Sequence, residues 1–327
     1  MSKLTKLGIG IPAYKRPEQL KSCLDSIASQ TSHVYKEVSV VIFDDSLSDV
    51  NDDVVESFRL KTGCKIDYIK NRENFGIDAN IDNCLSYGFS QYVLVLGEDD
   101  ILLPNSLNEI LEIIENKKPD IIYTSYVYLS NDKKKVIRSP LIISGFQEPK
   151  CFIQRNLWSI GFIGATIINR NFLNKCPKKY LGTYFNHVGR ICINLNTRSK
   201  IFASQIPLVG NRSDDLSSTT WSSSYYDVLF GYEKLMMLLS CQSQFGKLFL
   251  SSLLSFRSAF GYLDLHRICL MRSYGVYNNN VYTRYIVPAE NVRLKSLYLI
   301  ASIVPSILFI PLRRIFMLAR ILKRMTY

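Results

Sequence analysis

The sequence predicts an α/β fold: a doubly wound, mostly parallel sheet followed by a helical C-terminal extension. Three observations predict it. Short apolar runs alternate with segments of helical period through roughly the first 130 residues. The polar clusters fall just after these runs, where a parallel sheet presents its carboxyl ends on one edge. Beyond Tyr226 the helical period persists to Ser273 without further strand-like runs.

Each element has its own signal. Leu7–Ile11 reads as a short buried strand. Pro17 suits a first helical position, and Leu20, Cys23, Leu24 and Ile27 then share one face. Val38–Phe43 is a second strand, stopped by Asp44, Asp45 and Ser46. Val54, Val55 and Phe58 mark a helix, and Ile66–Ile69 a third strand. A turn at Asn74–Gly76 leads into helical spacing at Ile77, Ile81, Cys84 and Leu85. Tyr92–Leu96 is a fourth strand. Leu107, Ile110, Leu111 and Ile114 mark a helix that ends before Pro119, and Ile121–Leu129 is a long strand. Farther on, Ala165–Asn169 reads as a strand, Gly182–Leu195 as a helix and Asn211–Ser224 as a polar loop.

The segment Val93–Pro104, VLVLGEDDILLP, is the most informative. A buried-strand run ends in Glu98, Asp99 and Asp100. Clustered carboxylates at a strand end supply the hard oxygen ligands that Mg²⁺ or Mn²⁺ prefers. The same acids also suit a turn that caps the following helix.

At 327 residues the chain has room for one large domain or two modest ones, and 47% hydrophobic residues exclude general disorder. The formal charge of +12 is uneven. Arg293, Lys295, Arg313, Arg314, Arg320, Lys323 and Arg324 crowd the C-terminus, and no acid follows Glu290. A basic face spread over the folded body, as nucleic-acid binding would need, is therefore not expected. The eight cysteines form no CxxC pair and no zinc spacing, so they read as reduced, packed thiols of a cytosolic protein. No signal peptide is expected, because Pro12 interrupts the first apolar run. The first strand is followed by Pro12 rather than GxGxxG, which argues against a dinucleotide-dependent oxidoreductase.

Four motifs in order, IGIPAYKRPEQLKSCLDSI, VVIFDDSLSD, NRENFGIDANIDNCL and LVLGEDDILLPNSLNEI, make the chain resemble family 2 glycosyltransferases of the GT-A fold. Within that family it is similar to bacterial enzymes of the abequosyltransferase type, which build O-antigen or capsule on a lipid carrier. The resemblance implies a nucleotide-sugar donor, a lipid-linked oligosaccharide acceptor and a Mg²⁺ or Mn²⁺ cofactor. It implies that Pro12, Ala13 and Tyr14 line the nucleotide pocket and that Asp44 or Asp45 hydrogen-bonds the base. Arg72, Asn74 and Gly76 would approach the nucleotide, and Glu98 would join the donor site. Asp99, with Asp100, would hold the metal, although Gly97 stands where the family's metal motif has its first Asp. Arg212 would add a cation over the diphosphate.

For the general base, the family often has an acidic pair at the start of a late helix. This chain has His187 there, with Asp214 and Asp215 as rivals. The expected organisation is a glycosyltransferase domain over residues 1–215, a helical extension over 216–290 and a tail over 291–327. In the tail, Ile315, Phe316, Leu318, Ala319 and Leu322 form an apolar helical face with basic flanks. That pattern suits a helix lying in an anionic membrane surface, and a cytoplasmic protein held peripherally on the inner face of the cytoplasmic membrane is expected. The competing function is a membrane-tethered scaffold that kept the fold and lost catalysis.

Overall fold

The computed structural model describes residues 4–88, 90–129, 136–138, 143–157, 159–173, 178–212, 225–260, 263–288 and 295–311. They form two compact units. The first runs through Arg212 and takes in Lys234–Ser252; the second holds Tyr225–Glu233 and the described residues from Leu253 onward.

The first unit is built on strands whose two faces are both covered. Strand β1 (Thr5–Ala13) buries every position from Leu7 to Ala13. Helix α1 (Pro17–Ala28) has Pro17 in its first turn and buries Leu20, Cys23, Leu24 and Ile27, the face the sequence spacing predicts. Strand β2 (Val38–Asp44) is buried throughout. Continuous apolar runs of this kind are the mark of interior parallel strands. The series continues with α2 (Asp52–Thr62), β3 (Lys65–Lys70), α3 (Ile77–Ser86) and β4 (Ser90–Val95). After it come β5 (Asp100–Leu102), α4 (Ser106–Lys117), β6 (Ile121–Leu129), β7 (Val136–Arg138) and β8 (Gly145–Gln147). Helix α5 (Pro149–Asn156), β9 (Thr166–Asn169), α6 (Asn186–Asn194) and β10 (Ile201–Arg212) complete it.

The strand order is β3-β2-β1-β4-β9-β6-β10-β5. Strands β3, β2, β1 and β4 are mutually parallel, as are β6 and β10. Strand β9 enters antiparallel between β4 and β6 and joins the two parallel blocks. The registers align the carboxyl ends: Ala13 faces Asp44, and Asp44 faces Lys70. Residues 14–16, 45–46, 71–76 and 96–99 thus emerge on one rim.

Three local differences from the sequence expectation have physical causes. The acidic segment is not only a strand-to-helix turn, because Asp100 opens β5 and pairs with Asn211 of β10. Strand β10 has no sequence expectation over Ile201–Gly210, and its end, Asn211 and Arg212, was expected as loop. Its register shifts around Pro207, which breaks the alternation a strand is recognised by. Helix α6 begins at Asn186 rather than Gly182, because the backbone turns through left-handed Gly182 (φ 77°) and Tyr184 (φ 63°) first.

Beyond β10 the described residues are mainly helical: α7 (Tyr225–Gln242), α8 (Gly246–Phe260) and α9 (Leu265–Ser273), where the helical period predicts them, and a further helix over Lys295–Ile303. Within the second unit Tyr226 packs on Tyr277 at 5.6 Å and Phe230 stacks on Tyr285 at 4.5 Å between ring centroids. The Arg257 guanidinium donates to both oxygens of Glu233 at 2.7 Å, and the Arg272 guanidinium donates to the Val304 carbonyl at 2.8 and 3.0 Å. The apolar face expected over residues 315–322 lies outside the described residues. Upstream of it Ile300, Ile303, Ile307 and Leu308 are each more than half exposed.

Candidate functional site

The rim is tied together by backbone hydrogen bonds between strand ends that are distant in sequence. The Tyr14 amide donates to Glu98 Oε2 at 2.8 Å, and the Lys15 amide to Ser46 Oγ at 2.8 Å. The Asp45 amide donates to the Ala13 carbonyl at 2.9 Å. The structure therefore brings Tyr14, Asp45 and the acidic segment to one place. Tyr14 projects outward at 42% exposure, whereas Pro12 and Ala13 are buried within β1 and reach the rim only through their backbone.

Asp44 and Asp45 are both buried, and they do different things. Asp44 accepts from the Ser46 amide at 2.8 Å, from Asn51 Nδ2 at 2.8 Å and from the Tyr68 hydroxyl at 2.7 Å. Its oxygens are committed to the turn that follows β2. Asp45 accepts from Asn71 Nδ2 at 2.7 Å and from the Gly76 amide at 3.1 Å. It anchors the segment that presents Arg72 and Asn74, both exposed. Gly76 has φ 80°, a conformation that costs a side-chain-bearing residue. The Asn74 side chain accepts from the same amide at 2.9 Å and closes the turn.

The three consecutive acids diverge. Glu98 is 7% exposed, and burial pushes its carboxyl up to about 8, against the pull of the Tyr14 amide and of Arg16. Asp99 is the accessible one: its Oδ2 accepts from Arg16 Nη1 at 3.1 Å. Asp100 is buried and accepts from Asn211 Nδ2 at 2.9 Å. Asp99 Oδ1 and Asp100 Oδ2 both lie against Gly97. A Cβ on Gly97 would lie 2.9 Å from Asp99 Oδ1 and 2.8 Å from Asp100 Oδ2, closer than carbon tolerates. The missing side chain leaves a cradle walled by two carboxylate oxygens. This fits a small divalent cation that takes one or two protein carboxylates and completes its shell with phosphate and water. Among the described residues no group of three or more acidic, His or Cys side chains is arranged to hold a metal on its own.

His187 requires a correction. It is 2% exposed, in the interior of the first unit, with Nε2 3.2 Å from the Ile160 carbonyl. Burial lowers its pKa to about 4. A base must come within hydrogen-bond reach of the proton it removes, and this ring is closed off from solvent. The start of α6 is organised instead by Asp78, which the sequence reading did not single out. Its Oδ2 accepts from the amides of Thr183 and Tyr184 at 2.9 and 2.8 Å, and its Oδ1 from the Asn186 amide at 3.2 Å. Beside it Asp82 pairs with Arg190 at 2.9 Å. Arg16 was likewise missed; its position two residues after Tyr14 was the available signal. Arg212 ends β10 by backbone, and Asp214 and Asp215 lie outside the described residues. A cleft of about 270 Å³ between α4 and β10, lined by Glu109, Lys117, Phe202 and Ile206, uses none of the rim residues.

A parallel-dominated sheet whose strand ends gather a tyrosine, paired aspartates and an acidic turn on one edge is the architecture of GT-A glycosyltransferases. Residues 9–176 match the family described as Glycosyl transferase family 2, and the chain belongs to that family. The processive diacylglycerol beta-glycosyltransferase of Mycoplasma genitalium is 26% identical over 258 residues, 73% of each chain. The abequosyltransferase RfbV of Salmonella typhimurium is 30% identical over 111 residues, 34% of this chain and 33% of that protein. The match to an uncharacterised glycosyltransferase of Methanocaldococcus jannaschii, 23% identical, covers 40% of this chain and 45% of that protein. Among solved structures, S. aureus TarS residues 1–349 with UDP-GlcNAc superposes with a TM-score of 0.63 at 15% identity, covering 85% of this chain and 83% of that one. This likeness establishes the fold. No helix among the described residues is long and apolar enough to cross a membrane.

Proposed function

We propose that this protein transfers a sugar from a nucleotide-sugar donor to a lipid-linked saccharide acceptor during assembly of a bacterial surface polysaccharide, O-antigen or capsule. The observation that carries the reading is the bonded rim: Tyr14 to Glu98 and Lys15 to Ser46, in a chain of family 2. In it the exposed Tyr14 ring and the Arg72–Gly76 segment, anchored by Asp45, receive the nucleotide. Asp99 and Asp100 would hold Mg²⁺ or Mn²⁺, which would supply positive charge to the diphosphate. Arg16 fixes the Asp99 carboxylate in place. A Mn²⁺ cofactor is supported by a GT-A neighbour solved with GDP-Man and Mn²⁺, a mannosyltransferase of Pyrobaculum calidifontis. With His187 buried, Asp214 and Asp215 remain the candidates for the base, and Arg212 for the added cation.

The lipid-linked acceptor is supported by a Campylobacter jejuni relative, 28% identical over 111 residues, named as a glucosyltransferase acting on an undecaprenol-linked saccharide. Exposed Ile300, Ile303, Ile307 and Leu308, followed by the basic tail, support attachment to the cytoplasmic membrane surface without spanning it. The scaffold reading draws on Gly97 and on the diverging acids. The two readings separate in one experiment: thermal shift against UDP-, CDP-, GDP- and dTDP-sugars with Mn²⁺, then with EDTA. A catalyst gains several degrees from one donor and loses most of the gain to EDTA. A flat response to every donor removes the transferase reading.

A further inference from the structure

We propose that Arg16 grips the diphosphate of the donor, as a positive charge of the chain's own held beside the cation cradle by Asp99. The inference rests on the nucleotide-sugar reading and adds a binding residue to that site. The two oxygens of Asp99 serve different neighbours. Its Oδ2 accepts from Arg16 Nη1 at 3.1 Å, whereas its Oδ1 lies against Gly97. The guanidinium and the cradle are therefore one carboxylate apart, and filling the cradle leaves the Arg16 pair in place. Phosphate oxygens drawn to a cation over Gly97 come within reach of the guanidinium too. Its planar fork of N–H donors matches two phosphate oxygens at once.

The backbone is bent to put Arg16 there. Lys15 has φ 54°, in the left-handed region that a Cβ disfavours. Its amide donates to Ser46 Oγ at 2.8 Å, and the Tyr14 amide before it donates to Glu98 Oε2 at 2.8 Å. The Arg16 carbonyl then accepts from the Leu20 amide at 2.9 Å, so the residue is fixed from both sides. Lys15 itself turns to the Tyr14 ring, with Nζ 5.2 Å from the centroid. Arg16 is thus the cation of this turn that meets the acids. The bond it makes there adds little to folding. The Arg16 side chain is 21% exposed and that of Asp99 39%, and ion pairs this open to water are worth little. The contact of Arg16 Nε with Glu98 Oε1 is longer, at 3.8 Å. A left-handed residue that secures only a weak pair is better explained by a ligand for the guanidinium than by stability.

The test is isothermal titration calorimetry of the full chain in EDTA, with UDP, CDP, GDP and dTDP and with the matching monophosphates. The diphosphate that binds best should bind about tenfold tighter than its monophosphate, and Arg16→Gln should bring that ratio to within about twofold. Arg16→Lys, which keeps the charge, should restore part of it. Asp99→Asn separates gripping the phosphate from neutralising Asp99. The ratio should survive in that variant, and adding Arg16→Gln to it should cut the ratio about fivefold. Because each result is a ratio, a general loss of nucleotide affinity in a variant cancels. A ratio unmoved by Arg16→Gln, alone or on Asp99→Asn, overturns the proposal. So does an Arg16→Lys ratio as low as that of Arg16→Gln, or diphosphate binding that appears only with Mn²⁺. If no nucleotide binds either in EDTA or with Mn²⁺, the transferase reading fails and the grip falls with it; binding with an unmoved ratio defeats the grip alone.

Discussion

Two acidic sites of the first unit invite comparison. At the rim, Glu98, Asp99 and Asp100 are consecutive, yet each takes a different partner: the Tyr14 amide, the Arg16 guanidinium and the Asn211 carboxamide. At the start of α6 a single carboxylate, Asp78, gathers three backbone amides from a segment more than a hundred residues away. Burial raises the pKa of both Glu98 and Asp78. Asp78 is compensated by three donors. Glu98 has one amide and a distant guanidinium, 3.8 Å from its nearer oxygen. The difference teaches that Glu98 at the rim is governed by burial against a single amide donor, while the Asp78 carboxylate is closed in by backbone donors.

The comparison can be broken most sharply at Asp99. Asp99→Ala should lower sugar transfer about 10²–10³-fold with unchanged circular dichroism, because it removes the accessible wall of the cation cradle. Turnover near wild type in that variant would refute the rim as the reaction centre. Next in size, Asp78→Ala strands three buried amides and should cost about 2–4 kcal/mol in urea unfolding. A loss below about 0.5 kcal/mol would show that α6 does not depend on it.

A smaller effect concerns pH. Glu98 has a folded pKa near 8, above the ordinary 4.5, so between these values the unfolded chain has lost a proton that the folded chain retains. Stability should therefore fall as pH rises from about 5 to 8, and Glu98→Gln should flatten the slope. An unaltered slope in Glu98→Gln would place the titration elsewhere. The smallest effect is expected at His187. With its pKa near 4 the ring is neutral across the working range, so His187→Gln should keep kcat within about threefold and leave the pH–rate profile unmoved. Loss of a limb near pH 6 to 7 would restore it as a base.

Much of the rim was legible in the sequence because its parts sit at the ends of strongly periodic elements. The apolar faces of α1 and β2 fixed where Tyr14 and Asp45 emerge, and a parallel register carries strand ends to one edge whatever the crossovers between them. His187 misled because position at a helix start says nothing about which way the ring faces. Asp78 was illegible for the opposite reason: its partners are Thr183, Tyr184 and Asn186, and no local pattern records that pairing.

By itself, then, the sequence determined the alternation of strand and helix, the common edge, and the identity of the acids available there, since period and turn chemistry are local properties of the chain. Tertiary structure alone decided which acid stays accessible. It turned Glu98 to the Tyr14 amide and Asp100 to Asn211, opened a cradle over Gly97, and buried His187. Those outcomes depend on burial and on partners distant in sequence, and both are set only when the sheet assembles.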